Sequence, residues 1–470
     1  MVAVGTRGSE TAGDGVRIVR PAGDLRGEVT VPGDKSITHR AVMLNAIASG
    51  IATVTGAGLG GDCLSTAACM RALGATVRRR WADGSLTDDL RHDPATGRGE
   101  RDGAALVVQG AGTRGLHEPD DVLDAGNSGT TARLLAGILA AQPFLSVLTG
   151  DASLRSRPMG RVIEPLRALG ARLAARKSDT LLPLMAMPAR LRGAPLSISV
   201  ASAQLKSCLL LAGLYAEGVT AISQPAASRD HTERMLAAQG ARIDHDGLIL
   251  RVHGVESHGL RAVDVAVPGD ISSAAFWLVA GCVHPSARVV VRNVGVNLTR
   301  TGILDVLREM GGRITVTNQR IAGGEPVADL IAESSELRGV DVGGALIPRL
   351  IDEVPVLAVA AAVARGKTTI RDASELRIKE SDRLAATAKE MTALGANVRE
   401  LEDGLVIEGG ALRGGEVECH GDHRIAMSLA VAALAAGAPA MIAGGECVDI
   451  SYPTFWPDLE RLAPGSTREA

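Results

Sequence analysis

The chain has 470 residues, with 50 Lys and Arg against 53 Asp and Glu for a formal net charge of −3. At the usual ~150 residues per domain, this predicts two or three domains. The near-neutral balance and an aromatic content of 2% exclude a broad cationic face for nucleic acid or anionic membrane, and the stacking platforms of single-strand binders.

From the N-terminus, residues 1–15 (MVAVGTRGSETAGDG) have no apolar centre and no cleavage-like site, and read as a disordered tail. Cys63, Cys69, Cys208, Cys282, Cys419 and Cys447 form no CxxC pair and have no His cluster beside them. That pattern suits a reduced, intracellular protein without structural zinc. The most apolar run, Ile425 to Ala443, is broken by Gly437 and Pro439 and is too interrupted to cross a bilayer. The expectation is a soluble, cytoplasmic protein, monomeric by default because no hydrophobic stripe stands out.

One phrase recurs along the chain: RALGATVRR from residue 71, RALGARLAA from 167, LAAQGARID from 236, LREMGGRIT from 307 and MTALGANVR from 391. Each reads as a helix end, a Gly just past it, and an alternating strand. A second phrase precedes each, a short strand, a small or polar cluster, then an Ala/Leu-rich helix. Its instances include VTVPGDKSITHRAVMLNAIA, VLDAGNSGTTARLLAGILA and VECHGDHRIAMSLAVAALA. With a further strand-turn-helix between the phrases, the unit is β-α-β-α-β-β, roughly 70 residues long. Six units predict an α/β protein, three units per half, with the joint near Val265–Gly269 and the sixth unit truncated. The polar stretch Ala82–Gly103 interrupts the first unit and reads as a surface loop.

The six first-helix starts concentrate reactive residues: Lys35, Ser36 and Arg40; Asn127, Gly129, Thr130 and Arg133; Ser202, Gln204 and Lys206; Asp270, Ser272 and Ser273; Asp352 and Glu353; Asp422, His423 and Arg424. Ser, Asp and Asn there serve as helix caps. Capping does not explain Lys35, Arg40, Lys206 and Arg424, because a cation opposes the dipole at a helix start. Cations in that place want an external anion, so the set reads as a phosphate and carboxylate site. Arg157 follows a strand and precedes a predicted helix at 160–169. Lys379, Glu380 and Arg383 are predicted to open another helix, with Lys379 and Arg383 on one face.

Gly56-x-Gly58-x-x-Gly61 mimics a dinucleotide fingerprint, but Arg78 to Arg80 end the next strand where a ribose-binding acid belongs. Gly366-Lys367-Thr368 mimics a P-loop tail with its helix and strand in the wrong order. Asp422-His423-Arg424 lacks a second His at ligand spacing, so its Asp and His read as orienting groups.

Together VPGDKSITHRA, LDAGNSGTTARLLAGIL, GDASLRSRPM, SAQLKS, SRDHTERML, PGDISSAAFWL, LIDEVPVLAVAAA, LRIKESDRL and GDHRIAMSLA resemble the 5-enolpyruvylshikimate-3-phosphate synthases, the 3-phosphoshikimate 1-carboxyvinyltransferases of chorismate biosynthesis. The resemblance runs from about Val16 to Arg461. It implies a two-domain inside-out α/β barrel, with 16–33 plus 267–470 as one domain and 34–266 inserted as the other. It implies that Lys35, Ser36, Arg40, Ser202, Ala203, Gln204, Ser228, Asp352 and Lys379 hold shikimate 3-phosphate. Lys35, Gly129, Arg157, Gln204, Arg383 and Arg424 would surround phosphoenolpyruvate. Asp352 would act as base and Glu380, held protonated by burial or substrate charge, as acid, with Lys35 donating to the leaving phosphate. Two substrate anions neutralised by side chains require no metal and no cofactor. In CVDISYPTF, Ile450 stands where one branch of the family has Lys, which points to the other branch. The sister UDP-N-acetylglucosamine 1-carboxyvinyltransferases open with Lys-Asn and carry a reactive loop Cys. Here the pair is Lys35-Ser36, and no Cys falls between Cys69 and Cys208.

Overall fold

The computed structural model describes residues 15–91, 105–255 and 259–469. The predicted tail, apart from Gly15, lies outside the described residues, as does the 92–103 part of the polar loop.

Six sheets repeat one plan. The unit beginning at Leu123–Asp124 continues through Ser146–Thr149, Arg172–Ala175 and Leu181–Met187. Its sheet order is first, second, fourth, third strand, the first pair parallel and the others antiparallel. The units starting at Pro195 and Asp341 do the same. A parallel first pair needs a crossover, and the helix after each first strand supplies it.

Two sheets trade strands. Leu25–Thr30 precedes the helix Lys35–Ala46 yet pairs in parallel with Ala287–Gly295. Val265–Ala266 precedes the helix Ile271–Val283 yet pairs in parallel with Ser49–Thr55. The chain therefore crosses twice, and the crossings lie side by side: the Asp34 N–H donates to the Pro268 carbonyl at 2.8 Å and the Asp270 N–H to the Pro32 carbonyl at 2.9 Å. Glycine is obligatory between them. A Cβ on Gly33 would sit 1.8 Å from the Gly56 carbonyl oxygen.

The sixth unit is truncated, as expected: its own strands are Gly415–Glu418, Ala440–Ala443 and Thr467–Glu469, and the N-terminal strand Arg17–Val19 takes the place of the fourth. The missing strand comes from the other end of the chain, so no reading of local order could find it.

The first helices are buried nearly all round, as in Val354–Val363, while strands such as Leu181–Met187 alternate between buried and partly exposed residues. Helices thus fill the interior and sheets wrap them, the inside-out arrangement. Close helix approach is built in: a Cβ on Gly137 would lie 2.2 Å from the Cys208 carbonyl oxygen. The buried apolar side chains form two separate clusters. One combines Val19–Val31 with Ile271–Ala463, and the other spans Ile37–Val267. Among the described residues, no helix is long and apolar enough to cross a membrane.

Candidate active site

Between the two clusters lies a cavity of about 530 Å³. The helix starts that line it are capped in similar ways. Asp34 accepts from the Ile37 N–H at 2.9 Å, Ser128 from Thr131 at 3.1 Å and Asp270 from Ser272 at 2.8 Å. These caps satisfy part of each helix's first-turn N–H set, and residues at the same helix starts line the cavity. Of the residues expected at the site, Lys35, Ser36, Gly129, Arg157, Ser202, Ala203, Gln204, Ser228, Asp352, Lys379, Glu380 and Arg424 all line it. Distant segments converge because every unit presents the same helix end.

Arg40 and Arg383 do not line it. Arg40 lies behind the cavity, donating to Thr232 Oγ1 at 2.7 Å, Ser207 Oγ at 2.8 Å and the Ser36 carbonyl at 2.9 Å. The buried Arg383 holds Asp422 at 2.7 Å, Glu380 at 2.7 Å and Asp352 at 3.3 Å. Lys206 also departs from expectation: its Nζ is buried against Glu233 at 2.6 Å and needs no external anion. Lys379 and Glu380 are not helical. They follow the turn Ser374–Ile378, and Asp382 caps a helix that begins at Arg383. Lys379 and Arg383 nevertheless meet on Asp352, at 3.4 and 3.3 Å. Asp422 does orient its neighbours, whereas both ring nitrogens of the buried His423 have no hydrogen-bond partner among the described residues. Burial, with Lys35 and Arg424 nearby, pushes His423 down to about 3, so it is neutral.

Three buried guanidiniums on the cavity have no carboxylate partner among the described residues. Arg133 donates to Gln204 Oε1 at 2.7 Å. Arg157 donates to Asn127 Oδ1 at 2.5 Å and Ser153 Oγ at 3.0 Å. Among the described residues, the Arg424 guanidinium has no hydrogen-bond or ion-pair partner. Burial, then Arg161 and Arg157, push Arg133 down to about 10, a sign of how crowded with positive charge this end is. Buried charge without a counter-ion is costly, so this cluster is built for an external anion.

The carboxylates sit at the other end of the balance. Burial alone would raise Asp352, but Lys379, Arg229, Arg424 and Arg383 outweigh it and hold the carboxyl well below its usual range. Glu380 is likewise held well below by Arg383 and Lys35 against the effect of burial. Of the two causes expected to keep Glu380 protonated, burial is outweighed by these cations, which leaves substrate charge. Cations surround the carboxylate, and it is ionised. Sequence reasoning also missed Arg229, which pairs with Asp352 and reaches Ser36 Oγ at 3.2 Å. It missed Asp62, 3.0 Å from Lys35 Nζ, and the pair Arg161–Glu375 at 2.7 Å. Arg229 stands beside the quoted Ser228, so the signal was present. Asp62 and Glu375 carry no motif.

The profile of the EPSP synthase (3-phosphoshikimate 1-carboxyvinyltransferase) family matches residues 19–459. The chain is 53% identical over 445 residues to a 3-phosphoshikimate 1-carboxyvinyltransferase of Desulforudis audaxviator (strain MP104C), covering 94% of this chain and 98% of that one. It is 51% identical to that of Roseiflexus sp. (strain RS-1), covering 95% and 98%. A solved structure of the EPSP synthase from Acinetobacter baumannii superposes with a TM-score of 0.81 at 40% identity, over 96% of this chain and 99% of that one.

Proposed function

The chain belongs to the EPSP synthase family, and from that premise we propose how its cleft divides the work. The enzyme transfers the enolpyruvyl group of phosphoenolpyruvate to the 5-hydroxyl of shikimate 3-phosphate and releases phosphate. The observation that carries the site assignment is the cluster Arg133, Arg157 and Arg424, cationic, buried and without carboxylate partners. Phosphoenolpyruvate brings a phosphate and a carboxylate to that cluster, with Gly129 at the adjoining helix start and Gln204 beside Arg133. Shikimate 3-phosphate takes the other end, its phosphate on Ser202, Ala203, Gln204 and Ser228 and its ring hydroxyls on Asp352 and Lys379. Arg40 serves that end indirectly by fixing Ser36. Arg383 likewise acts by aiming Asp352, Glu380 and Asp422.

Asp352 is ionised and able to accept the 5-hydroxyl proton as the oxygen bonds to C2 of phosphoenolpyruvate. C3 takes a proton from Glu380. The tetrahedral adduct then loses phosphate as C3 gives its proton back, with Lys35 donating to the leaving oxygen. Glu380 begins ionised, so it must gain a proton on substrate binding. The ligand supplies the means: its charge engages the cations that hold Glu380 down and adds negative charge nearby, raising the carboxyl. The reading includes domain boundaries at 33/34 and 266/267, membership of the branch with Ile450 in place of Lys, and a cytoplasmic monomer. The strand exchange supports the first of these, and six free thiols suit a reducing compartment. Phosphate release from phosphoenolpyruvate tests the reading. It should require shikimate 3-phosphate, and release driven equally well by UDP-N-acetylglucosamine would overturn it.

A further inference from the structure

Away from the cavity, two thiols distant in sequence meet: the Sγ atoms of Cys419 and Cys447 are 3.4 Å apart. Cys419 follows the strand Gly415–Glu418 and is 1% exposed, with its N–H on the Ala443 carbonyl at 3.1 Å. Cys447 lies in the turn Gly445–Ile450 and is the only one of the six cysteines that is not buried. The two chain segments press closely together, because a Cβ on Gly444 would come within 2.7 Å of Cys419 Sγ. We propose that Cys419 and Cys447 form an oxidation site at which a hydroperoxide closes a disulfide, and that closing it lowers turnover by displacing Asp422.

The connection to Asp422 is short. The Asp422 N–H donates to the Cys419 carbonyl at 2.9 Å. Asp422 in turn accepts from Arg383 at 2.7 Å and from the Arg424 N–H at 2.9 Å. Bonded sulfurs lie at ~2.05 Å, so the present gap must close by more than an ångström. The strain falls on the turn that carries Asp422 and Arg424, and displacements of ~1 Å at a reacting site can cost ~10²-fold in rate.

The chemistry balances with hydrogen peroxide as oxidant. Cys447, the thiol within reach of solvent, loses its proton and attacks the peroxide. An S–O bond forms, the O–O bond breaks, and the departing hydroxide leaves as water after protonation. Cys419 then attacks Cys447 Sγ as a thiolate, forming the S–S bond and releasing the sulfenic oxygen as a second water. The local bonds favour the second attack, while the first must overcome the raised proton affinity of Cys447. The Cys447 thiol and the Gly421 N–H both stabilise a Cys419 thiolate, lowering its proton affinity, while Cys447 is raised by that same shared bond and by burial.

The test exposes the full-length protein to hydrogen peroxide, then reads intact mass, linked peptides and turnover. The expected result is a loss of about 2 Da, one bond between Cys419 and Cys447, and a fall in turnover of ~5-fold or more. Dithiothreitol should restore both mass and rate. C447S and C419S should each fail to form the bond, and C447S should keep its turnover in peroxide. A gain of oxygen on Cys447 without a bond would overturn the proposal, as would a bond to another cysteine or a bonded protein of unchanged turnover. The mass readout does not depend on which substrates the cleft accepts.

Discussion

The two walls of the cleft are built from the same repeat and do opposite work. The wall from residues 34–266 presents Lys35, Arg133, Arg157, Arg161 and Arg229, with Asp62 as its acid. The facing wall presents Asp270, Asp352, Asp372, Glu375 and Glu380, with Arg300, Lys379 and Arg424 among them. Under the proposed function, one wall holds the substrate anions and the other moves the protons. Neither is sufficient, since the reacting atoms need both. The two walls pair with each other directly, through Arg229–Asp352 and Arg161–Glu375. Under the proposed function, a ligand carrying phosphate and carboxylate would exchange those pairs for its own charge, coupling binding to the seating of the walls.

The sharpest way to break this division is to neutralise the acidic wall. Asp352→Asn and Glu380→Gln should each lower turnover by ~10²–10⁴-fold while still binding shikimate 3-phosphate, because proton transfer roles are worth that much. Steady-state kinetics with phosphoenolpyruvate in excess checks this. Near-normal turnover in both variants would leave the acidic wall with a purely structural role.

Next in size are the cations without carboxylate partners. Arg157→Ala on one wall and Arg424→Ala on the other should raise KM for phosphoenolpyruvate at least ~10-fold, since a hydrogen bond to a charged group contributes ~1.5–3 kcal/mol. Arg424 sharpens the comparison. It sits on the acidic wall yet should behave like its opposite number, affecting KM more than kcat. A pure kcat loss at Arg424 would show that position in the wall, and not charge pairing, sets the role.

The same division predicts how the empty protein responds to acid. The unfolded carboxyls of Asp352 and Glu380 take up protons near pH ~4, whereas in the folded cleft they resist protonation until well below that. Between those limits the unfolded chain binds more protons. The stabilisation these groups give is complete above pH ~4 and is lost as the pH falls toward their folded values. Melting temperature should therefore hold between pH 7 and 5 and fall below 4, more steeply than in Asp352→Asn. Parallel curves for the two proteins would remove Asp352 from that account.

Much of this was legible in sequence because the repeat is written in short-range signals. Caps, Ala/Leu-rich helices and post-helix glycines recur in phase, and they place Lys35, Gly129, Ser202, Asp352 and Arg424 at equivalent helix starts that do converge. The sequence could not reveal what depends on pairing across the fold. Lys206 looks like Lys35 in its local setting, yet Glu233 lies beside one and a cavity beside the other. No local pattern could show that Glu380 is held ionised, because its partners Arg383 and Lys35 are brought to it by tertiary packing. The strand Arg17–Val19 completes the last sheet from the opposite terminus, a relation with no local trace.

The smallest expected effect tests the cross-wall contacts themselves. Arg161 and Glu375 meet at 2.7 Å with side chains 22% and 36% exposed, so solvent screens the pair and its worth is at most ~1 kcal/mol. Two consequences of Glu375→Gln oppose each other. It loosens the contact between the walls, which should weaken binding slightly. It also frees Arg161 to join Arg133 and Arg157 around the incoming anion, which should strengthen binding. The second should win, because Arg133 and Arg157 already lack carboxylate partners and the ligand brings charge to both. KM for phosphoenolpyruvate should therefore fall by up to ~5-fold in Glu375→Gln. It should rise in Arg161→Ala, where the cation is lost, and the difference should shrink in high salt. A raised KM in Glu375→Gln would reverse the inference: the pair would then be a clasp that the bound state keeps, and the acidic wall would share in holding the donor.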